Sequence, residues 1–388
     1  MNRLTKILSY ILVAVLASTA TLGVVIFGMP ANDEYTKLEQ LSDLIQERFI
    51  GEVDKTAMED AAAAAMISSL GDRWSHYIAA DAYDDYKDQM NNSYVGIGIT
   101  IRVRDDGYFD VLEVVSGGPA EGAGVQAGDV LKYVEGQDCA ELGMDATTNL
   151  VKGEEGTAVN LTFERGGRTV EVSIVRAYFE TEVATWEMLE DRIGYVRIVN
   201  FDKRCADETV AAIEAVLAQG ARAIVFDVRN NPGGYQAELV KVLDYLLPEG
   251  DLFRSEYFDG RTSVDTSDAK CLDIPMAVLV NSESYSAAEF FAAALSEYDA
   301  AVVVGEQTCG KGYFQITYEL KDGSAVGLSV GKYYTPNGVS LAEVGITPDV
   351  VVDVDEETFL QIYANTLPWQ EDPQILAAID ALKVGIFP

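Results

Sequence analysis

Asn281-Ser-Glu-Ser-Tyr-Ser-Ala-Ala-Glu-Phe-Phe291, followed by Val302-Val-Val-Gly-Glu-Gln-Thr-Cys-Gly-Lys-Gly-Tyr-Phe-Gln315, decides how this chain is read. The apolar run Met276-Ala-Val-Leu-Val280 precedes the first stretch and suits a strand buried on both faces. A serine-rich corner then leads into Ala/Phe/Leu spacing typical of a helix, Ala287 to Leu295, before the second strand run Ala301–Val304. Strand, helix and strand in this order predict a βαβ unit with a parallel pair. Ser286 and Lys311 then both lie beyond the carboxyl ends of neighbouring strands, the edge where open α/β sheets bind ligands. A third run, Ala223-Ile-Val-Phe-Asp227, ends in Val-Arg-Asn-Asn-Pro-Gly-Gly234 and aims a glycine turn at that edge.

Composition narrows the function classes. The 388 residues are 48% hydrophobic, enough for a large core and two or three domains. The formal net charge of −35 would repel phosphate backbones, which argues against nucleic-acid partners. His76, within Gly71-Asp-Arg-Trp-Ser-His-Tyr77, is the single histidine, so no multi-histidine metal site can form. Cys139, Cys205, Cys271 and Cys309 show no metal spacing and read as scattered thiols, with one disulfide left open. No metal or organic cofactor is expected.

Residues 1–29 contain the apolar run Ile7–Met29, preceded by Arg3 and Lys6. Its length suits a membrane-spanning helix with the remainder on the extracytoplasmic side. The competing reading is a cleaved signal peptide ending near Ser18-Thr19-Ala20, which would leave the protein secreted. Residues 30–91 carry helical spacing (Leu38, Leu41, Ile45, Phe49) and an alanine-rich stretch from Met58 to Leu70. They predict a helical layer, suited to packing or to a homodimer. Residues 92–178 switch to short β-rich runs. Within them Val95-Gly-Ile-Gly-Ile99 frees backbone N–H groups that can cradle a carboxylate. Residues 179–388 return to α/β alternation and close with a helix from Asp372 to Leu382.

The chemistry at the sheet edge follows from residue types. A serine hydroxyl needs a base within reach to become a nucleophile. Lysine serves only when neutral, which demands an apolar site; Val302–Val304, Tyr313 and Phe314 are candidate walls. On an extended segment Lys311 and Gln315 share one face, so that Gln315 can orient the amine without adding charge. The Ala287 N–H at a helix start, with Gly233 or Gly234, can stabilise an oxyanion. Ser286 also has a plain reading as a helix N-cap, and Ser282 and Ser284 are near competitors. Asp227, Arg229 and Asn230 are read as shaping their turn.

These stretches resemble the C-terminal processing peptidases, also called tail-specific proteases. The resemblance runs from about Leu38 to Leu382 and rests on the DVRNNPGG turn, the NSESYSAAE corner, GEQTCGKGYFQ, YYTPNG and GITPD. The order of GIGI, PAEGAGVQAGD and LVKGEEGT resembles a PDZ domain, a module that binds peptide C-termini by strand addition. The resemblance implies Ser286 as nucleophile, Lys311 as base and Gln315 as its partner. It further implies an α/β multi-domain protein, with a crotonase/ClpP-like core, an inserted mostly-β PDZ domain and an N-terminal helical layer. The expected partners are proteins or peptides with exposed C-termini. Tyr285, where a small residue is usual, and Cys309, where an aromatic is common, are departures that bear on pocket shape. The other reading left standing is a catalytically silent peptide-binding scaffold.

Overall fold

The computed structural model describes residues 36–115 and 117–386, so the expected anchor or signal segment Ile7–Met29 lies outside the described residues. The described residues fall into two compact units, divided after Met66. Helices Thr36–Arg48 and Lys55–Ser68 bury no residue, and Leu41 and Leu44 stand exposed. No helix among the described residues is long and apolar enough to cross a membrane.

The expected βαβ unit is realised inside a six-stranded sheet. Ile193–Ile198, Ala223–Asp227, Met276–Val280, Ala301–Gly305 and Val350–Val351 run parallel, and Ala184–Met188 adds an antiparallel edge. All five residues of Ala223–Asp227 and of Met276–Val280 are buried, because both faces of the sheet are covered. On one face Phe226, Val278 and Val303 pack against helices Cys205–Ala218, Gln236–Leu246 and Ala287–Glu297. On the other, Val225, Ala277 and Leu279 meet Ile375, Ala378, Ile379 and Leu382 of the closing helix Pro373–Ile386. That helix starts with proline at its first position, where a missing N–H costs nothing.

A second sheet corrects the expectation that residues 30–91 are helical throughout. His76–Ile78 is a strand, paired antiparallel with the long strand Ala325–Tyr334. Ala325–Tyr334 also pairs with Tyr313–Glu319 and Gly250–Tyr257, and Gly250–Tyr257 pairs with Thr262–Ser267. His-Tyr-Ile suits a short strand, and the polar Gly71–Ser75 turn before it stops helical continuation. The β-rich segment forms its own sheet from Ile99–Val103, Phe109–Val114, Val130–Val134, Ala158–Arg165 and Arg168–Val175, with a core that includes Phe109, Leu131, Leu161 and Phe163. Its two ends meet where Ser93–Gly96 pairs with Ala177–Glu180, so the segment leaves and rejoins the chain at one place.

The turn after Ala223–Asp227 is braced by buried charge. The Arg229 guanidinium, 4% exposed, donates to Asp227 Oδ2 at 2.6 Å, Asp372 Oδ2 at 2.8 Å and Gln374 Oε1 at 2.9 Å. Burial alone would raise the Asp227 carboxyl, but the adjacent guanidinium outweighs it and holds the group below its usual range. Arg229→Ala strands two buried carboxylates, and urea unfolding should show a loss of about 3–5 kcal/mol. A loss below about 1 kcal/mol would show that the turn does not depend on this brace.

Candidate active site

Ser286 is the N-cap of helix Ala287–Glu297, paired with Glu289 as in a capping box, but its backbone conformation is not that of an ordinary cap. Its φ of 58° and ψ of −124° lie outside the extended region that N-cap residues adopt, and the residue is 7% exposed. A non-glycine residue held in such a region is strained, and the neighbours that hold it are visible. Gly233, at φ 89°, lies so close that an added Cβ would sit 2.7 Å from Ser286 Cβ and 2.8 Å from Ala287 N. Only glycine allows the two backbones to approach this way. Asn230 and Asn281 lock the turn to the corner, with Asn230 N–H donating to Asn281 Oδ1 at 3.0 Å and Asn281 Nδ2 to Asn230 Oδ1 at 2.8 Å. Tyr285 N–H completes the join by donating to Asn231 O at 3.1 Å.

The rival serines are spoken for or outside. Ser284 is fully buried; its hydroxyl donates to Val228 O at 2.7 Å and accepts from Asn281 N–H at 3.0 Å. That makes it a pin between two loops. Ser282 is exposed.

Of the three expected oxyanion donors, Gly233 spends its N–H on Asn231 Oδ1 at 2.8 Å. No acceptor for the Ala287 or Gly234 N–H is found among the described residues. Gly234, at φ 148°, carries its own steric demand, since a Cβ there would meet Phe201 O at 2.3 Å.

Lys311 arrives on the loop between Ala301–Gly305 and Tyr313–Glu319. Burial pulls its amine down to about 8, against the nearby charges of Cys309, Glu289 and Asp72, while Arg73 pushes the same way as burial. The aromatic walls differ from those expected. Phe314 turns away to pack on Tyr333 and Tyr257. The rings that meet the amine belong to Trp74 and Tyr285, with Nζ 4.7 Å and 5.7 Å from their centroids.

Glu289 is the residue that sequence reasoning passed over. It is fully buried, and its carboxylate accepts four hydrogen bonds: Ser286 N–H at 3.0 Å, Lys311 N–H at 2.8 Å, Gly310 N–H at 2.7 Å and Thr308 Oγ1 at 2.6 Å. One oxygen, Oε2, receives the N–H of both Ser286 and Lys311. Burial still dominates those bonds and raises the carboxyl above its usual range. The available signal was a glutamate inside an otherwise apolar helix face, Ala-Ala-Glu-Phe-Phe.

Gln315 is placed by its amide. Nε2 donates to Ser329 Oγ at 2.9 Å and to Tyr313 O at 3.3 Å. The face-sharing argument from even spacing does not hold, because the strand starts at Tyr313 and its register shifts between Phe314 and Gln315. No side-chain hydrogen bond joins Ser286 to Lys311, or Lys311 to Gln315, among the described residues; such contacts often close only around substrate.

The Val95–Ile99 loop stands apart from this cluster. Val95 and Gly96 pair with Tyr178 and Ala177, Ile97 is buried, and Gly98 turns at φ 79° before the strand from Ile99. The Ile97 and Gly98 carbonyls accept from Ala120 and Val115, while their N–H groups find no acceptor among the described residues. The four cysteines are free. No group of three or more metal-ligating side chains occurs among the described residues.

Comparison with known proteins bears on the family and the fold. Residues 192–352 match the model for peptidase family S41, residues 95–175 that for a PDZ domain, and residues 21–82 that for the N-terminal domain of the activating protease CtpB. The carboxy-terminal processing protease CtpA of Bacillus subtilis (strain 168) is 30% identical over 368 residues, covering 92% of this chain and 79% of that protein. A probable CtpA-like serine protease of Staphylococcus haemolyticus (strain JCSC1435) is 31% identical over 350 residues, covering 88% and 70%. The solved structure of a Bacteroides fragilis NCTC 9343 protein assigned to S41 shares the fold at 18% identity, with a TM-score of 0.60 over 90% of this chain and 98% of that one. The chain therefore belongs to peptidase family S41, as a PDZ-containing serine protease among the carboxy-terminal processing proteases.

Proposed function

We propose that this protease cleaves polypeptides by acyl-enzyme chemistry with Ser286 as nucleophile and Lys311 as general base. The observation that carries the reading is one buried carboxylate oxygen of Glu289 holding the backbone of a strained serine and of a desolvated lysine together. Neutral Lys311 takes the Ser286 proton as Oγ attacks the scissile carbonyl, then returns it to the leaving amine. The developing oxyanion faces the start of helix Ala287–Glu297, where the Ala287 N–H, seconded by Gly234, meets it; Gly233 serves by close approach. Gln315 steadies the lysine amine as a neutral acceptor. The Val95–Ile99 loop captures the carboxylate of a substrate C-terminus, on the strength of its open N–H groups. The same reading takes the parallel sheet as a crotonase/ClpP-like core, Ile7–Met29 as an anchor holding the enzyme on the extracytoplasmic side, and the exposed helices as a helical layer available to a second copy. A silent scaffold gains nothing from a lysine kept out of water, and this disfavours that alternative.

Ser286→Ala and Lys311→Ala should each abolish cleavage of fluorescein-labelled casein while the thermal transition survives; turnover in either removes that residue from the mechanism. The working base is the neutral amine, so kcat/KM should rise with pH through about 8 and level off above it. A flat profile between pH 6 and 9 would contradict a lysine base. The folded amine binds its proton less tightly than the unfolded one, so it costs stability below about 8 and regains it as pH rises. Lys311→Met should therefore be inactive yet at least as stable as wild type at pH 7. Glu289→Ala leaves three N–H groups and a hydroxyl unpaired and should lower kcat about 100-fold or more, with a stability loss of about 3–5 kcal/mol. Near-normal kcat in that variant would deny the clamp its role.

A further inference from the structure

Taking Lys311 as the base raises the question of what keeps its amine dry and directed, since neither Phe314 nor the bulged strand does so. The answer lies in a turn more than two hundred residues ahead of the serine in sequence. We infer that the Asp72–Ser75 turn is a positioning element for the lysine base, in which Trp74 closes the Lys311 amine off from water and Asp72 holds Gln315 in place through Ser75 and Ser329. The inference rests on the assignment of Lys311 above.

The turn is built by one carboxylate. Asp72 Oδ1 accepts Trp74 N–H at 3.1 Å, and Oδ2 accepts Ser75 N–H at 3.0 Å and Ser75 Oγ–H at 2.5 Å. Strand His76–Ile78 then anchors it to Ala325–Tyr334, with His76 opposite Gly327. A Cβ at Gly327 would lie 2.5 Å from the His76 ring, so glycine gives the clearance this pairing needs.

The Asp72 carboxylate also fixes where Ser329, and with it Gln315, sits. The Ser75 hydroxyl spends its proton on Asp72 and is left as acceptor for Ser329 N–H, at 3.0 Å. Ser329 Oγ in turn accepts Gln315 Nε2. With its NH2 committed to Ser329 and Tyr313 O, the Gln315 amide turns its oxygen elsewhere, as an acceptor able to hold a lysine N–H without taking its proton.

Trp74 meets Tyr285 at 5.8 Å between ring centroids, and the Lys311 amine lies against both rings. Arg73 secures the tryptophan, with its guanidinium 4.2 Å from the ring centroid and 2.9 Å from Cys309 Sγ. The charged or titratable groups around the amine are thus Glu289, Cys309, Tyr285, Asp72 and Arg73. An indole face also attracts an ammonium, which favours the charged form; exclusion of water favours the neutral one. The two effects of removing the ring have opposite signs.

The test uses the full chain and the pH dependence of kcat/KM on fluorescein-labelled casein. Trp74→Ala should move the acid limb upward by about one pH unit or more, as water reaches the amine, whereas Trp74→Phe should leave it within a few tenths. An unmoved or lowered limb in a folded Trp74→Ala protein overturns the shielding role. Should that variant fail to fold, Ser329→Ala and Gln315→Ala carry the decision. Each should lower kcat about tenfold with KM little changed, and the double variant should be no worse than Gln315→Ala alone. Additive losses would overturn the relay. Persistent cleavage by Lys311→Ala, run alongside, would sink the base assignment itself rather than this inference.

Discussion

The carboxyl edge of the parallel sheet is organised around a carboxylate removed from water. Glu289 sits in the first turn of an apolar helix, where an unpaired charge would be prohibitively costly, and it is satisfied by four donors from the serine corner and the lysine loop. The arrangement is all-or-nothing: the helix can bury Glu289 only if the 308–311 loop comes to meet it. A covalent neighbourhood of four residues, Ser286 to Glu289, is thereby made into a spatial neighbourhood with a loop beyond the next strand. The parallel pairing of Met276–Val280 with Ala301–Gly305 brings both to the same edge, and the carboxylate ties the serine corner to the lysine loop there.

The second constraint is backbone proximity. Gly233 lies against Ser286 with no room for a side chain, and the neighbouring turn is held from behind by Arg229 and from the side by the paired amides of Asn230 and Asn281. Strain at Ser286 is thus sustained by three independent fastenings, which is how a conformation unfavourable for serine persists. The departure at Tyr285 acquires a physical sense in the same place: its ring, together with that of Trp74, borders the lysine amine.

Much of this was legible in the sequence because it obeys local rules. Uninterrupted apolar runs such as Met276–Val280 announce strands covered on both faces, and the serine, lysine and glycine turns fall at their ends as βαβ geometry requires. What was not legible depends on distant partners. Three residues, His76–Ile78, become a strand only because Ala325–Tyr334 offers an edge to them. The alternation that would have put Lys311 and Gln315 on one face is broken by an irregularity beside Gln315, which no local pattern marks. Glu289 and Trp74 reveal their importance only when loops far apart in sequence close on them. The expected glycine donors sort themselves only once Asn231 is seen to claim the Gly233 N–H.

The pairing of His76 with Gly327 has a consequence in time. Serine, lysine and the turn that walls the lysine come from stretches separated by the whole β-rich segment and most of the parallel sheet. During synthesis the 72–75 turn emerges early, but its docking strand is among the last parts of the chain to be made. Such long-range pairing is slow to form, and until it does the lysine amine lacks the Trp74 ring. On the proposed mechanism, a protease whose base is completed by its final third is silent while it is still a nascent chain, and becomes dangerous to its neighbours only after it is whole.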